Sequence, residues 1–278
     1  METLKKHRCF DGQLGFYKHE SAVNNAPMTF AVYMPPQAKK KRVPVLFYLS
    51  GLTCTEENFM AKAGAQQYAA KHGIALVSMD TSPRNLGLSG EDDSYDFGSG
   101  AGFYVNATEQ PWAKNYQMYD YVVDELPAFV RQHFRVDSDR MSIFGHSMGG
   151  HGALVIALRN PGKFRSVSAF SPIVAPIHNE WGRKSFSGYL GTNQETWKQY
   201  DACELIKQTN NNIPILVDQG MADEFLTDYL QPERLQAVCQ EQNHPLTMRK
   251  HEGYDHSYYF ISTFMEDHID YHADILKR

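Results

Sequence analysis

Six short apolar runs recur along this chain with helix-like segments between them, and that alternation constrains the fold more than any other feature. The runs lie at 43–49, 74–79, 141–144, 167–170, 213–217 and 246–248. They lack polar alternation, as strands covered on both faces require. The segments 59–72, 116–134, 149–159, 226–241 and 258–271 read as helices. Pro127 marks a kink or break in the second, and Pro232 a boundary in the fourth. Alternating strands and helices imply an α/β fold, a mostly parallel central sheet with helices on both faces. Two amphipathic strands, 15–19 and 28–34, open the chain around a turn with Asn24, Asn25 and Pro27. A connector follows, with Pro35, Pro36 and a basic run at 39–42, and reads as a solvated loop. The stretches 81–112 and 171–197 read as loops. In such a sheet, long insertions after strands gather at the carboxyl edge, where ligands bind. No repeat or long linker divides the chain, so residues 1–278 are expected to form a single domain.

One of the strands leads into Gly145-His146-Ser147-Met148-Gly149, and a helical run follows. The five-residue pattern alone is weak. In a strand–turn–helix context it is the G-x-S-x-G nucleophile elbow of the α/β-hydrolase fold. Gly145 and Gly149 flank Ser147 because side chains there would collide with the neighbouring strand and helix. The helix N-terminus places positive dipole character beside a developing oxyanion. Ser147 is therefore the expected nucleophile, against the plainer reading of a glycine-rich turn.

A serine hydroxyl needs a base, and in this fold the chain order is Ser, then Asp or Glu, then His. Asp218 and Asp223 are the candidate acids, at the end of the 213–217 strand and on the loop beyond Gly220. Asp223 is favoured because it can reach across to an imidazole. His256 is favoured as the base because it follows a strand, a glycine and a short loop, and opens a helix. His251 at the strand end is its rival. His146 and His151 lie too near Ser147 in the elbow to serve. The oxyanion hole draws on the N–H of Met148 and on one from the loop after 43–49, where Gly51 frees the turn and Leu52 is the candidate donor.

Composition narrows the class. Lys and Arg total 27 against 32 Asp and Glu, giving net charge −5, so nothing draws the chain to nucleic acid or to an anionic membrane. Cys9, Cys54, Cys203 and Cys239 form no C-x-x-C pair, and neither a zinc site nor a disulfide framework is expected. Separate thiols suit a reducing compartment. No apolar stretch approaches the roughly 18 residues of a membrane helix, and no signal-peptide pattern opens the chain. A cytoplasmic protein is expected.

Several segments together resemble the S-formylglutathione hydrolases, the esterase D family. They are Leu49-Ser-Gly-Leu-Thr-Cys-Thr-Glu-Glu-Asn-Phe59, Gly102-Phe-Tyr-Val-Asn-Ala-Thr108, the elbow through Leu154, Trp181-Gly-Arg-Lys184, Gly188-Tyr-Leu-Gly191, Asp218-Gln-Gly220 with Asp223, and Tyr254-Asp-His-Ser-Tyr-Tyr-Phe260. The resemblance spans nearly the whole chain, and the Leu-Thr-Cys-Thr and Gly-Phe-Tyr-Val-Asn segments are more specific than the elbow. It implies hydrolysis of S-formylglutathione to glutathione and formate, a stage of formaldehyde detoxification. It also implies a homodimer, no cofactor, the triad Ser147, Asp223 and His256, and Leu52 and Met148 at the oxyanion hole. It puts Cys54 and Trp181 at the substrate pocket, with Cys54 a site of thiol-reagent sensitivity. Asn179-Glu180 stand where the family pattern has Cys-Pro before Trp-Gly. A formyl group needs only a small acyl pocket, and anionic glutathione favours a cation at the entrance, for which Arg183 and Lys184 are candidates.

Three rivals share parts of this pattern. A broad short-chain carboxylesterase would use the same triad. An exported mycolyltransferase would need a signal peptide and a lipid groove. A non-catalytic binding module on a hydrolase fold would have no use for an intact elbow.

Overall fold

Nine strands form one sheet: β1 (Glu2–Cys9), β2 (Gly12–Ser21), β3 (Ala26–Met34), β4 (Val43–Leu49), β5 (Ala75–Met79), β6 (Val136–His146), β7 (Val167–Phe170), β8 (Ile215–Gly220) and β9 (Leu246–His251). The computed structural model describes residues 1–277. The spatial order is β1-β2-β3-β5-β4-β6-β7-β8-β9. From β1 to β5 neighbours run antiparallel. From β5 through β4 to β9 every pairing is parallel. The helices are α1 (Glu56–Lys62), α2 (Ala65–His72), α3 (Met118–Asp120), α4 (Leu126–His133), α5 (Met148–Arg159), α6 (Glu180–Leu190), α7 (Gln194–Trp197), α8 (Ala202–Gln208), α9 (Pro232–Glu241) and α10 (Tyr258–Leu276).

The apolar runs explain the layering. All seven residues of β4 are buried. Val45, Phe47 and Leu49 point into one core, which takes in residues of α4, α5, α6, α8 and α9. Leu46 and Tyr48 point into the other, shared with α1, α2 and α10. A strand that buries both faces needs no polar residue on either, and each large side chain so buried contributes about 1.5–3 kcal/mol. The mostly parallel sheet with helices on both faces is therefore as the sequence implies. Among the described residues, no helix is long and apolar enough to cross a membrane.

The elements depart from expectation at specific places. β1 was not anticipated, because its sequence, Glu-Thr-Leu-Lys-Lys-His-Arg-Cys, carries no apolar face and all but Cys9 is exposed. The expected helix over 59–72 starts earlier and is two helices, parted where Gly64 takes φ +68. Pro127 does not break its helix. A π-turn at Tyr121–Glu125 precedes it, and Pro127 falls in the first turn of α4, where no N–H is required. At 226–241, Gln231 with φ +49 separates a π-turn from α9, whose first residue is Pro232. The expected loop over 171–197 contains α6 and α7.

Candidate active site

Ser147 lies between β6 and α5 with φ 58 and ψ −120. Residues with a side chain avoid this region, at a cost of about 1–3 kcal/mol unless neighbours hold them there. Here they do. The Ser147 N–H donates to the Phe170 carbonyl at 3.0 Å, and the Ser147 carbonyl accepts from Ile173 at 3.2 Å and His151 at 3.0 Å. A Cβ on Gly149 would lie 1.9 Å from the Leu49 carbonyl oxygen, and one on Gly145 2.2 Å from that of Gly149. Only glycine permits the helix to start so close to β4 and β6.

The residues expected as acid and base, Asp223 and His256, follow the adjacent strands β8 and β9. The loops after β8 and β9 are joined by bonds from Met221 N–H to the His251 carbonyl (3.0 Å) and from Ala222 N–H to the Tyr254 carbonyl (2.9 Å). This brings Asp223 Oδ2 to 2.6 Å from His256 Nδ1. Asp223 is buried, and its Oδ1 accepts from the Phe225 N–H at 2.9 Å, which fixes the carboxylate plane. Ser257 caps α10 immediately after His256. The Ser147 hydroxyl makes no hydrogen bond among the described residues and shares one pocket with His256. A nucleophile–base bond of this kind tightens when substrate is seated.

The rivals lie elsewhere. Asp218 is sealed, held by Arg249 through two bonds of 2.5 and 2.6 Å. His251 packs on Phe264 with ring centroids 3.8 Å apart. His146, by contrast, lies against His256 with centroids 4.3 Å apart. Burial pushes the His146 imidazole well below its usual range.

Of the two expected oxyanion donors, Leu52 shares the pocket with Ser147, and Met148 follows Ser147 directly. Met148 is the first residue of α5, where an N–H has no intrahelical partner. The Leu52 loop is held in place. Thr53, with φ +67, donates its N–H to Gly100 at 2.8 Å. Arg84, paired with Asp80 at 2.8 Å, donates to the carbonyls of Thr53 and Cys54, and Thr81 Oγ1 donates to that of Cys54 at 2.7 Å. The 81–112 region thus braces the loop carrying Leu52.

A pocket of about 370 Å³ opens over Ser147, and Leu52, Cys54, Trp181, Phe225 and Tyr258 are among its lining residues. Trp181 stacks on Tyr229 at 3.9 Å and donates its Nε1–H to Tyr95 Oη at 3.2 Å. Asn179 is the N-cap of α6, accepting from the Gly182 N–H at 2.8 Å, and it donates to the Tyr229 carbonyl at 3.0 Å. That capping role accounts for Asn179 at the departure from the family pattern, and it orients Trp181. Burial pushes the Cys54 thiol up, though Lys62 and Arg84 pull the other way. A larger hollow of about 630 Å³ lies by Arg8, Met34 and His133, away from any of these groups.

The expected entrance cations are not at the pocket. Lys184 is bound to Asp96 at 2.5 Å, and Arg183 donates to the Ile177 carbonyl. The cation on the pocket wall is Lys62, with Asn58 one turn before it. Neither was anticipated, because 59–72 read as a helix with no link to the site and Asn58 lay just outside it. Tyr95 and Phe225 were also missed, since loop residues carry no periodicity. Among the described residues, no group of three or more His, Cys, Asp or Glu could hold a metal ion.

The Esterase family model, "Putative esterase", matches residues 21–271. The chain is 55% identical to an S-formylglutathione hydrolase of Mus musculus over all of this chain and 99% of that one. It is 52% identical to one of Bos taurus over the same shares. A solved S-formylglutathione hydrolase of Agrobacterium tumefaciens superposes with a TM-score of 0.97 at 48% identity, covering 99% of this chain and 100% of that one. Matched along its whole length in sequence and in fold, the chain belongs to the S-formylglutathione hydrolase family of esterases.

Proposed function

We propose that this protein hydrolyses S-formylglutathione to glutathione and formate with Ser147 as nucleophile, His256 as general base and acid, and Asp223 as the group that orients His256. The observation that carries the residue assignment is the 2.6 Å Asp223–His256 bond beside a strained Ser147 on one pocket wall. The full-length relatives support the substrate.

Ser147 Oγ attacks the formyl carbon while His256 Nε2 takes its proton, and Asp223 holds Nδ1–H and stabilises the imidazolium. The N–H groups of Leu52 and Met148 receive the oxyanion, and each such donor contributes about 3–4 kcal/mol to the transition state. The carbon–sulfur bond then breaks, His256 returns the proton to glutathione as it leaves, and a formyl ester remains on Ser147. Water attacks that ester as His256 accepts its proton. Formate leaves and Ser147 Oγ regains a proton from His256. A thiolate is a good leaving group, so little proton donation is needed in the first half.

Cys54 and Trp181 contribute to the substrate pocket in this reading. Four free thiols, none joined in a disulfide, support action in the cytoplasm. The family resemblance supports a homodimer working without a cofactor. The test is the ratio of kcat/KM for S-formylglutathione to that for phenyl acetate. A thioester preference lost with Ser147→Ala supports the assignment. An enzyme that favours the aryl ester is instead a general short-chain esterase.

A further inference from the structure

We propose that Lys62 and Asn58, on one face of α1, form the subsite that reads a carboxylate of the glutathionyl group. The inference rests on the activity proposed above and names what selects its leaving group.

Three observations converge. Lys62 is the one Lys or Arg among the residues lining the Ser147 pocket, and no Asp or Glu lines it. Neighbouring cations are already committed: Lys184 to Asp96, Arg84 to Asp80 and Lys5 to Glu57. Lys62 is exposed and has no ion pair among the described residues; its Nζ rests 5.7 Å from the centre of the Tyr258 ring, also on the pocket wall.

Asn58 stands four residues earlier, on the same helical face. Its Oδ1 is committed, accepting from the Thr55 N–H at 2.9 Å in the cap of α1. That fixes the amide and leaves Nδ2 with no partner among the described residues. The two side chains therefore present to the pocket a positive charge and an N–H donor, with no acceptor facing an anion. Glutathione carries two carboxylates against one ammonium, so it enters with net negative charge on a protein of net charge −5. A local cation at the mouth counters that repulsion and fixes one end of the tripeptide while its sulfur reaches Ser147. Charge and donor together match a carboxylate, because a charge-assisted bond is about twice as strong as a neutral one.

The experiment compares S-formylglutathione with the S-formyl thioester of glutathione diethyl ester, whose carboxylates are masked. Lys62→Glu is expected to raise KM for S-formylglutathione about tenfold relative to its effect on the diethyl ester, with kcat for the two moving together. Lys62→Arg should recover most of the loss. Asn58→Asp, which keeps the Oδ1 acceptor of the cap but replaces the donor with an anion, should shift the ratio the same way by a smaller factor. Equal losses on both thioesters, or no loss on either, overturns the proposal. Wild-type enzyme that turns over S-formylglutathione no better than phenyl acetate overturns the activity itself and this inference with it, and that result is read before any variant is made.

Discussion

Among the described residues, Ser, His and Asp come together twice, once at an open pocket and once under α10. At the sheet edge, Asp223 bonds His256 beside Ser147 at the wall of a pocket. Under α10, Ser168 Oγ lies 2.8 Å from His268 Nδ1, and His268 Nε2 lies 3.5 Å from Asp218, the outer limit of a hydrogen bond. The second cluster is sealed: Ser168, His268 and Asp218 are all fully buried. Ser168 sits within a regular strand, whereas Ser147 sits at a strained turn with free amides beside it. Ser168 also bonds His272 at 2.7 Å, and Ser166 continues the chain to Ser142, so each hydroxyl is already committed. The same three residue types meet at an open pocket in one place and form a sealed polar seam in the other. Access, backbone strain and free donors make the difference.

The largest effect should separate the clusters outright. Ser147→Ala should lower kcat by about 10⁵–10⁶-fold and abolish labelling by a fluorophosphonate. Ser168→Ala should leave that labelling in place; labelling that depended on Ser168 would break the distinction. Stability should show the reverse order. Asp218→Asn leaves Arg249 without its buried partner and should cost about 3–5 kcal/mol in denaturant titrations, while His256→Ala, at a partly open site, should cost much less.

A pH titration sharpens the same contrast. Burial pushes the Asp218 carboxyl up, but hydrogen bonding and charge from His268 and Arg249 outweigh it and hold the pKa at about 2. A carboxylate depressed in the folded state stabilises the fold above its unfolded value near 3.9, and loses that contribution as pH falls through its folded value. The seam's share, about 2 kcal/mol, should therefore disappear between pH ~4 and ~2, so the stability gap between wild type and Asp218→Asn should narrow by that amount across that window. A difference that stayed constant would mean that ionisation of Asp218 is not what stabilises the seam.

Thiols report on open and sealed regions as well. Cys54 lines the pocket, whereas Cys203 and Cys239 are buried in the core. Iodoacetamide should modify Cys54 ahead of Cys203 and Cys239 and slow turnover by filling the pocket, with a rate that climbs above the ordinary thiol range because burial raises the Cys54 pKa. Mapped, complete modification with full activity retained would rule out that blockage. The smallest effect concerns the acyl group. Acetyl esters should exceed butyryl esters by about tenfold in kcat/KM, the cost of methylenes that a tight pocket excludes.

Much of this arrangement was legible in the residues. β4 is a continuous apolar run, and its limits coincide with the structure because burial on both faces leaves no room for a polar residue. The elbow was legible because Gly145 and Gly149 answer to backbone contacts inside the motif's own neighbourhood. Edge strand β1 was not, since an exposed strand carries no hydrophobic pattern. Nor was α6, where Gly182, Ser185, Ser187 and Gly188 lower helix propensity and packing against the core decides instead. Lys62 could not be placed at the pocket from sequence, because only the fold brings the end of α1 beside Tyr258.

Ser147, Asp223 and His256 follow three different strands, β6, β8 and β9, each reached by its own crossover. They come together only once β6, β7, β8 and β9 are all paired. Catalysis in this chain doubles as a clock for its own folding. In refolding, secondary structure should return well before turnover does, and the lag should measure the slow closure of distant contacts that seats β9 and docks α10.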